Sequence, residues 1–211
     1  MDGELGDVFP VEDDLFEDSF SMDSTYNFFG HEFTINQSFN ASLGVAASVW
    51  DAAIHLCNFF EKTSLELRTG FVSILAARLG ACVTITDLPL AIPQAVRNIE
   101  VNAPSAGWPS EAPSVLPLSW GQDQENFSSD WDLVLGTDII YLPETFPLLL
   151  DTLVHLCKNG AVVYLSSKMR REHSTEDFYD KWLPQKIKVE LVQREPENNI
   201  NIYRAALICD V

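Results

Sequence analysis

Asp87, Asp138 and Tyr141 have the strongest claim to chemistry in this 211-residue chain, because each stands where an apolar run that reads as a buried strand gives out. In open α/β sheets, ligands bind at the carboxyl ends of strands, near the point where strand order switches. Asp87 ends "CVTITD", 17 residues beyond Gly70. That is close to the spacing at which such folds set an acid to accept hydrogen bonds from ribose hydroxyls. The same carboxylate also reads as a helix cap, since Leu88 and Pro89 follow it and proline favours a first helical turn. "LGTDIIY" puts Gly136, Thr137, Asp138 and Tyr141 at the exit of the most convincing strand. Glycine there permits close backbone approach to a ligand, while Asp and Tyr supply an acceptor and an aromatic wall. The stretch reads equally as a plain strand-to-loop exit. Trp120, closing "LSW", could lie flat on an adenine ring or simply fill a corner of the sheet.

A ligand at those strand ends would ordinarily be cradled by a glycine-rich turn leading into a helix, where backbone N–H groups face the anion. Here the turn is reduced to Arg68-Thr69-Gly70, after a stub of strand from Ser64 to Leu67. Taken alone, this stretch carries little cofactor signal.

The surrounding elements must position these residues. "FFGHEFTINQSF" (28–39) alternates as a hairpin does, and 44–62 carries an apolar stripe at helical spacing. "FVSILAARLG" reads as a helix capped by Gly80, and "PLAIPQAVRNIEVNAP" as one closed by Asn102 and Pro104. Pro117 confines "APSVLPLSW" to a sheet edge. Residues 130–141 form a strand apolar on both faces, as buried parallel strands are. A helix over 143–158, the strand "GAVVYLSSK" and a short helix in "STEDFYDKWLP" follow. Two alternating strands around "PENN" close the chain as an antiparallel hairpin. Alternation of this kind predicts a doubly wound α/β sheet. The terminal hairpin suits a class I (Rossmann-like), seven-strand methyltransferase sheet better than a pure dinucleotide fold or a nicotinamide-dependent oxidoreductase.

Thirteen Lys and Arg stand against thirty-one Asp and Glu, a net charge of −18. That balance argues against binding bare nucleic acid, which needs clustered cations, and suits a basic protein partner. Residues 1–24 hold many of the acids and no Lys or Arg, so they are expected to form a solvated, flexible segment ahead of one domain over 25–211. No signal peptide or membrane span is read, and a cytoplasmic monomer is expected. Cys57, Cys82, Cys157 and Cys209 are far apart and expected to be reduced, buried thiols. The scattered histidines suggest no metal site.

Taken together, "GVAASVWDAAIHLCNFFE", "VTITDLPLAI", "LSWGQD", "DLVLGTDIIYLPETFPLLLDTL", "YLSSKMRREHSTEDFY" and "NINIYRA" resemble the methyltransferase-like 21 group of seven-strand protein-lysine methyltransferases. The similarity runs over nearly the whole chain. It implies S-adenosyl-L-methionine as cofactor and methylation of a lysine on translation elongation factor 1-alpha. By the same resemblance Trp50 packs beside the methionine end of the cofactor. Asp87 is the ribose-binding acid, Trp120 the adenine neighbour, and Gly136-Thr137 the backbone contact. Asp138 and Tyr141 match an Asp-x-x-Tyr motif associated with the substrate lysine. Asp138 is thereby expected to orient the amine or accept its proton, so that its replacement by Ala stops transfer and spares cofactor binding.

One departure stands out. Where the family reads roughly Val-Ile-Glu-Leu-Gly-Ala-Gly-Thr-Gly, this chain has Leu65-Glu66-Leu67-Arg68-Thr69-Gly70. Glu66 and Gly70 are what remains of that cofactor-binding segment, and the first strand is truncated. Losing a few backbone donors, at about 1–3 kcal/mol each, would weaken cofactor binding by orders of magnitude. The alternative function is therefore a catalytically impaired, methyltransferase-like module that only docks a protein partner.

Overall fold

The computed structural model describes residues 20–39, 49–63 and 71–208. The chain opens with a hairpin, β1 (Phe20–Phe28) and β2 (His31–Phe39). Helices α1 (Asp51–Thr63) and α2 (Phe71–Arg78) follow, then β3 (Thr84–Asp87), α3 (Ile92–Val101), β4 (Ser114–Pro117) and β5 (Leu133–Thr137). The second half runs α4 (Phe146–Leu156), β6 (Val162–Lys168) and α5 (Thr175–Asp177), which continues as a π turn over Phe178–Trp182. It ends with β7 (Ile187–Glu195) and β8 (Ile200–Leu207).

The order of the described elements and the terminal antiparallel hairpin match the sequence expectation, and the strand expected over 64–67 lies outside the described residues. Boundaries differ in two places that matter. The first hairpin begins at Phe20, inside the acidic segment, because β1 pairs with β2 along its whole length. And β5 stops at Thr137, which leaves Asp138 to Tyr141 as loop rather than strand. Proline positions behave as expected: β4 ends at Pro117 and, among the described residues, pairs only with β3.

Beyond the hairpin, the described strands form two sheets rather than one. β3 and β4 make a parallel pair, and β5, β6, β8 and β7 make a mixed sheet in that order, with β5–β6 parallel and the rest antiparallel. β3 and β5 line opposite sides of a cavity of about 260 Å³ without pairing to one another. Ser73 of α2 also lines it, with a buried hydroxyl that has no hydrogen-bond partner among the described residues. What joins the two sheets is a helical layer. Leu56 and Phe60 of α1, Val72 to Ala77 of α2 and Ile99 of α3 pack in one cluster with Ile85 of β3, Val115 of β4, Leu133 and Leu135 of β5 and Tyr164 of β6. The alternate residues Val134, Val163 and Leu165 face the other way, onto α4, as the two-residue period of strands requires. No helix among the described residues is long and apolar enough to cross a membrane.

The N-terminal hairpin is attached by side chains acting as a strand. On α3, Asn98 and Asn102 are four residues apart, so they share a face. Asn102 accepts from the Thr34 N–H (2.9 Å) and donates to the Thr34 carbonyl (2.7 Å). Asn98 does the same with Asn36, at 2.8 and 3.2 Å. Two amides thereby satisfy four backbone groups of β2. At the tip, Phe29 (φ 51) and Gly30 (φ 73) form the two-residue turn, whose positive φ values suit the twist of a hairpin. The Phe29 N–H donates to Glu61 of α1 at 2.7 Å. Replacing Asn102 by Ala strands a buried donor and acceptor. At about 1–3 kcal/mol per unpaired group, urea denaturation should show a loss of about 2–4 kcal/mol, and Asn102→Asp should retain part of it by keeping the acceptor.

Candidate active site

The short β5 and the loop after it build the centre of the site. Gly136 is buried, and a Cβ there would lie 2.5 Å from Ile139 Cδ1 and 2.9 Å from Leu165 Cδ2. Packing of Ile139 and Leu165 against it leaves no room for a side chain unless those side chains shift. Thr137, half-buried, pairs with Ser166 of β6. Asp138 then turns the chain in the left-handed region (φ 55), where its N–H donates to the Ser166 carbonyl at 2.8 Å. Short polar side chains tolerate this conformation better than most.

Its carboxylate is almost fully buried and fully engaged. Arg170 donates to both oxygens at 2.8 Å, and the Lys168 N–H adds a third bond at 3.1 Å. The bidentate fork raises the guanidinium's already high pKa, chiefly through the hydrogen bonds to Asp138. The same guanidinium lies over the Trp50 indole, its Cζ 5.4 Å from the ring centroid, within cation–π range. Trp50, Asp138 and Arg170 are thus one cluster.

Asp87 and Tyr141 are brought together from the other side. The Asp87 carbonyl accepts from the Leu118 N–H at 2.9 Å, which holds the tip of β3 beside the end of β4. One carboxylate oxygen accepts from the Leu88 N–H at 2.8 Å, so the capping contact exists; among the described residues nothing donates to the other. The Asp87 side chain is open to water, yet surrounding protein raises its pKa, with the Leu88 bond opposing. Tyr141, half-buried, is kept a neutral phenol first by burial and then by the negative field of Asp87. The two groups are thus within electrostatic reach of one another, although they follow strands of different sheets.

Trp120 is half-buried and packs against the cluster around α4, and the next N–H, of Gly121, donates to Thr152 of that helix at 3.0 Å. This is the corner-filling arrangement. Glu66 and Gly70 lie outside the described residues. Arg170 was not singled out by sequence reasoning. Its signal was the basic run Lys168-Met169-Arg170-Arg171 at the exit of a buried strand in an otherwise acidic chain. Of the thiols, Cys57 and Cys157 are buried, the latter pushed up to about 12 by burial, but Cys82 is exposed, against the expectation of buried cysteines.

Residues 28–183 match the family model described as lysine methyltransferase. The mouse protein "EEF1A lysine methyltransferase 3" is 50% identical over 208 residues, covering 94% of this chain and 88% of its own. The chain belongs to the lysine methyltransferase family. The mouse "Protein N-lysine methyltransferase METTL21A" is 40% identical over 193 residues, with 86% of each chain covered. A T. Thermophilus 16S rRNA methyltransferase (RsmC), solved in complex with AdoMet and guanosine, superposes with a TM-score of 0.59 at 16% identity, covering 90% of this chain and 52% of that one. That likeness shows the shared class I methyltransferase fold.

Within this methyltransferase the Asp138–Arg170 pair should matter to the fold before it matters to any reaction. Removing one partner of a buried pair leaves a charge without compensation, typically at about 3–5 kcal/mol. Side-chain exposures of 3% for Asp138 and 17% for Arg170 put Asp138→Ala near about 3 kcal/mol, because the freed guanidinium can reach some water. Guanidinium chloride unfolding measures it. A loss within a few tenths of zero would mean that the pair is not formed in solution.

Proposed function

We propose that this methyltransferase transfers the methyl group of S-adenosylmethionine to a lysine side chain of translation elongation factor 1-alpha, as a cytoplasmic monomer. The names of its relatives support the substrate. The observation that carries the reading is Asp87 at the tip of β3, its side chain open to water and one carboxylate oxygen without a donor among the described residues, because ligands of open α/β sheets bind at the carboxyl ends of strands.

The donor set suits the cofactor. Asp87 would accept from the ribose hydroxyls, Trp50 would flank the methionine end, and Thr137 would lend its backbone. Trp120 would meet the adenine with whatever edge its packing leaves open. Glu66 and Gly70 complete the proposed set. S-adenosylmethionine supplies a methyl carbon already activated by its sulfonium. The protein must therefore chiefly hold a neutral amine in line with it. A free lysine is protonated near neutral pH, so its surroundings must disfavour the ammonium. Desolvation against Tyr141 does this. A lone Asp138 would do the opposite, because a carboxylate beside the amine favours its charged form. Arg170 cancels that charge. We therefore read Asp138 as a residue that shapes the site and not as the proton acceptor.

The test is incubation with methyl-labelled cofactor and purified elongation factor 1-alpha, with lysine modification read by mass spectrometry. Methylation by the native chain, reduced at least tenfold in Asp87→Asn, is expected. A factor left unmethylated by a chain that binds cofactor would overturn the substrate assignment. Acidity gives a second check. The raised Asp87 carboxyl protonates at a higher pH than a free aspartate. S-adenosylhomocysteine affinity should therefore weaken as pH falls from neutral into the mildly acidic range, and Asp87→Asn should flatten that dependence in calorimetry.

The shortened glycine-rich segment, reduced to Arg68-Thr69-Gly70, favours a second reading, a non-catalytic docking module. No calorimetric response at millimolar S-adenosylmethionine, with elongation factor 1-alpha still bound, would select it.

A further inference from the structure

We propose that Arg170 is a positioning residue for the methyl-donor site: it clamps the Trp50 indole to Asp138, and so fixes the wall beside which the cofactor's methionine end is held. The inference rests on the reading that Trp50 flanks that end.

Three alternate residues at and beyond the end of β6 each reach one of three successive residues at the start of α1. The Ser166 hydroxyl donates to the Ala52 carbonyl at 2.7 Å, in a buried contact. Lys168 Nζ lies 3.7 Å from Asp51 Oδ2. Arg170 lies over Trp50. Alternation along an extended chain puts every second side chain on one face, so this is a single seam between β6 and α1, and Arg170 is its last stitch.

Arg170 differs from the other two in having a second attachment. Its fork meets both oxygens of Asp138, which is itself fixed by a backbone bond to Ser166 and by the Lys168 N–H. A bidentate pair fixes the plane of the guanidinium. The plane of the guanidinium in turn sets where an indole can stack on it. Trp50 precedes α1, is 37% exposed, and has its carbonyl committed to the Ala53 N–H, so the guanidinium face is one of the contacts that set the rotamer of its indole.

Lysine in place of Arg170 separates charge from geometry. It keeps Asp138 neutralised, which favours folding, but it has neither the fork nor the flat face. With 5-fluorotryptophan incorporated and the Trp50 signal assigned through Trp50→Phe, Arg170→Lys should shift or broaden the Trp50 fluorine resonance in the ligand-free protein. The signals of the other four tryptophans should stay in place. Calorimetry with S-adenosylhomocysteine should show about three- to tenfold weaker binding in Arg170→Lys, and no further loss when the same change is made in Trp50→Ala. In turnover, KM for the cofactor should rise while KM for the protein substrate stays constant.

An unmoved Trp50 resonance overturns the proposal, as does an additive loss in the double variant. A shifted resonance in a chain that never binds S-adenosylhomocysteine upholds the clamp and counts against the cofactor reading instead. If Arg170→Lys does not fold, the charge-free pair Asp138→Asn with Arg170→Gln carries the same fluorine readout, with the same shift expected and the same null result decisive.

Discussion

The candidate site draws on residues from two sheets that share no hydrogen-bond ladder among the described residues, and there the link between them is a layer of helices. Asp87 leaves β3, while Asp138 and Tyr141 follow β5. A continuous ladder would fix the distance between those tips through backbone geometry alone, at the inter-strand spacing. Among the described residues the two sheets meet through side-chain packing, in the layer in which α1, α2 and α3 touch strands of both. Packed interiors transmit strain because they hold few voids. A change in any of those helices is therefore felt by strands of both sheets.

This explains why so many polar side chains bind backbone groups across elements. Asn98 and Asn102 tie the hairpin to α3, Ser166 ties β6 to α1, and Thr152 ties α4 to the turn at Gly121. Each ties one element to another and satisfies a polar group whose burial without a partner would be costly. The hairpin matters to the site through α3, because the helix that carries the two asparagines follows directly on Asp87, through the turn at Pro89–Ala91.

What the sequence disclosed follows from which signals are local. Strand and helix identity come from periodicity, so the order of elements, the edge position set by Pro117 and the terminal hairpin around "PENN" were all legible. The placement of Asp87 at a strand tip was legible for the same reason. Partnerships across the fold were not. Asn102 read as a helix end because Asn is common there, and its exchange with Thr34, 68 positions away, leaves no trace in spacing. Gly136 read equally as a ligand-facing glycine and as a plain strand exit, and its packing against Ile139, three residues later, was not legible. Asp138 read as a free acceptor because its partner lies 32 residues on, beyond any local pattern. Trp120 offered two readings, and only the position of α4 favours one.

Asp138 combines features that are individually costly. It adopts a left-handed backbone, it is almost wholly buried, and its charge is balanced by a single cation. A buried ion pair is weak evidence for stability, since apolar residues of similar volume often serve as well. Strained backbone and buried charge at one residue persist where the surrounding structure over-determines them, and such places cluster at functional sites. The over-determination is visible here: two backbone bonds and a bidentate fork converge on a single side chain and its own N–H. It also resolves an apparent conflict in the chemistry. A site that must accept a lysine and deprive it of its proton gains from polar shape but loses from negative charge. Pairing the carboxylate with arginine keeps the shape and removes the charge, which an amide or an apolar residue at the same position would not do while also orienting the indole of Trp50.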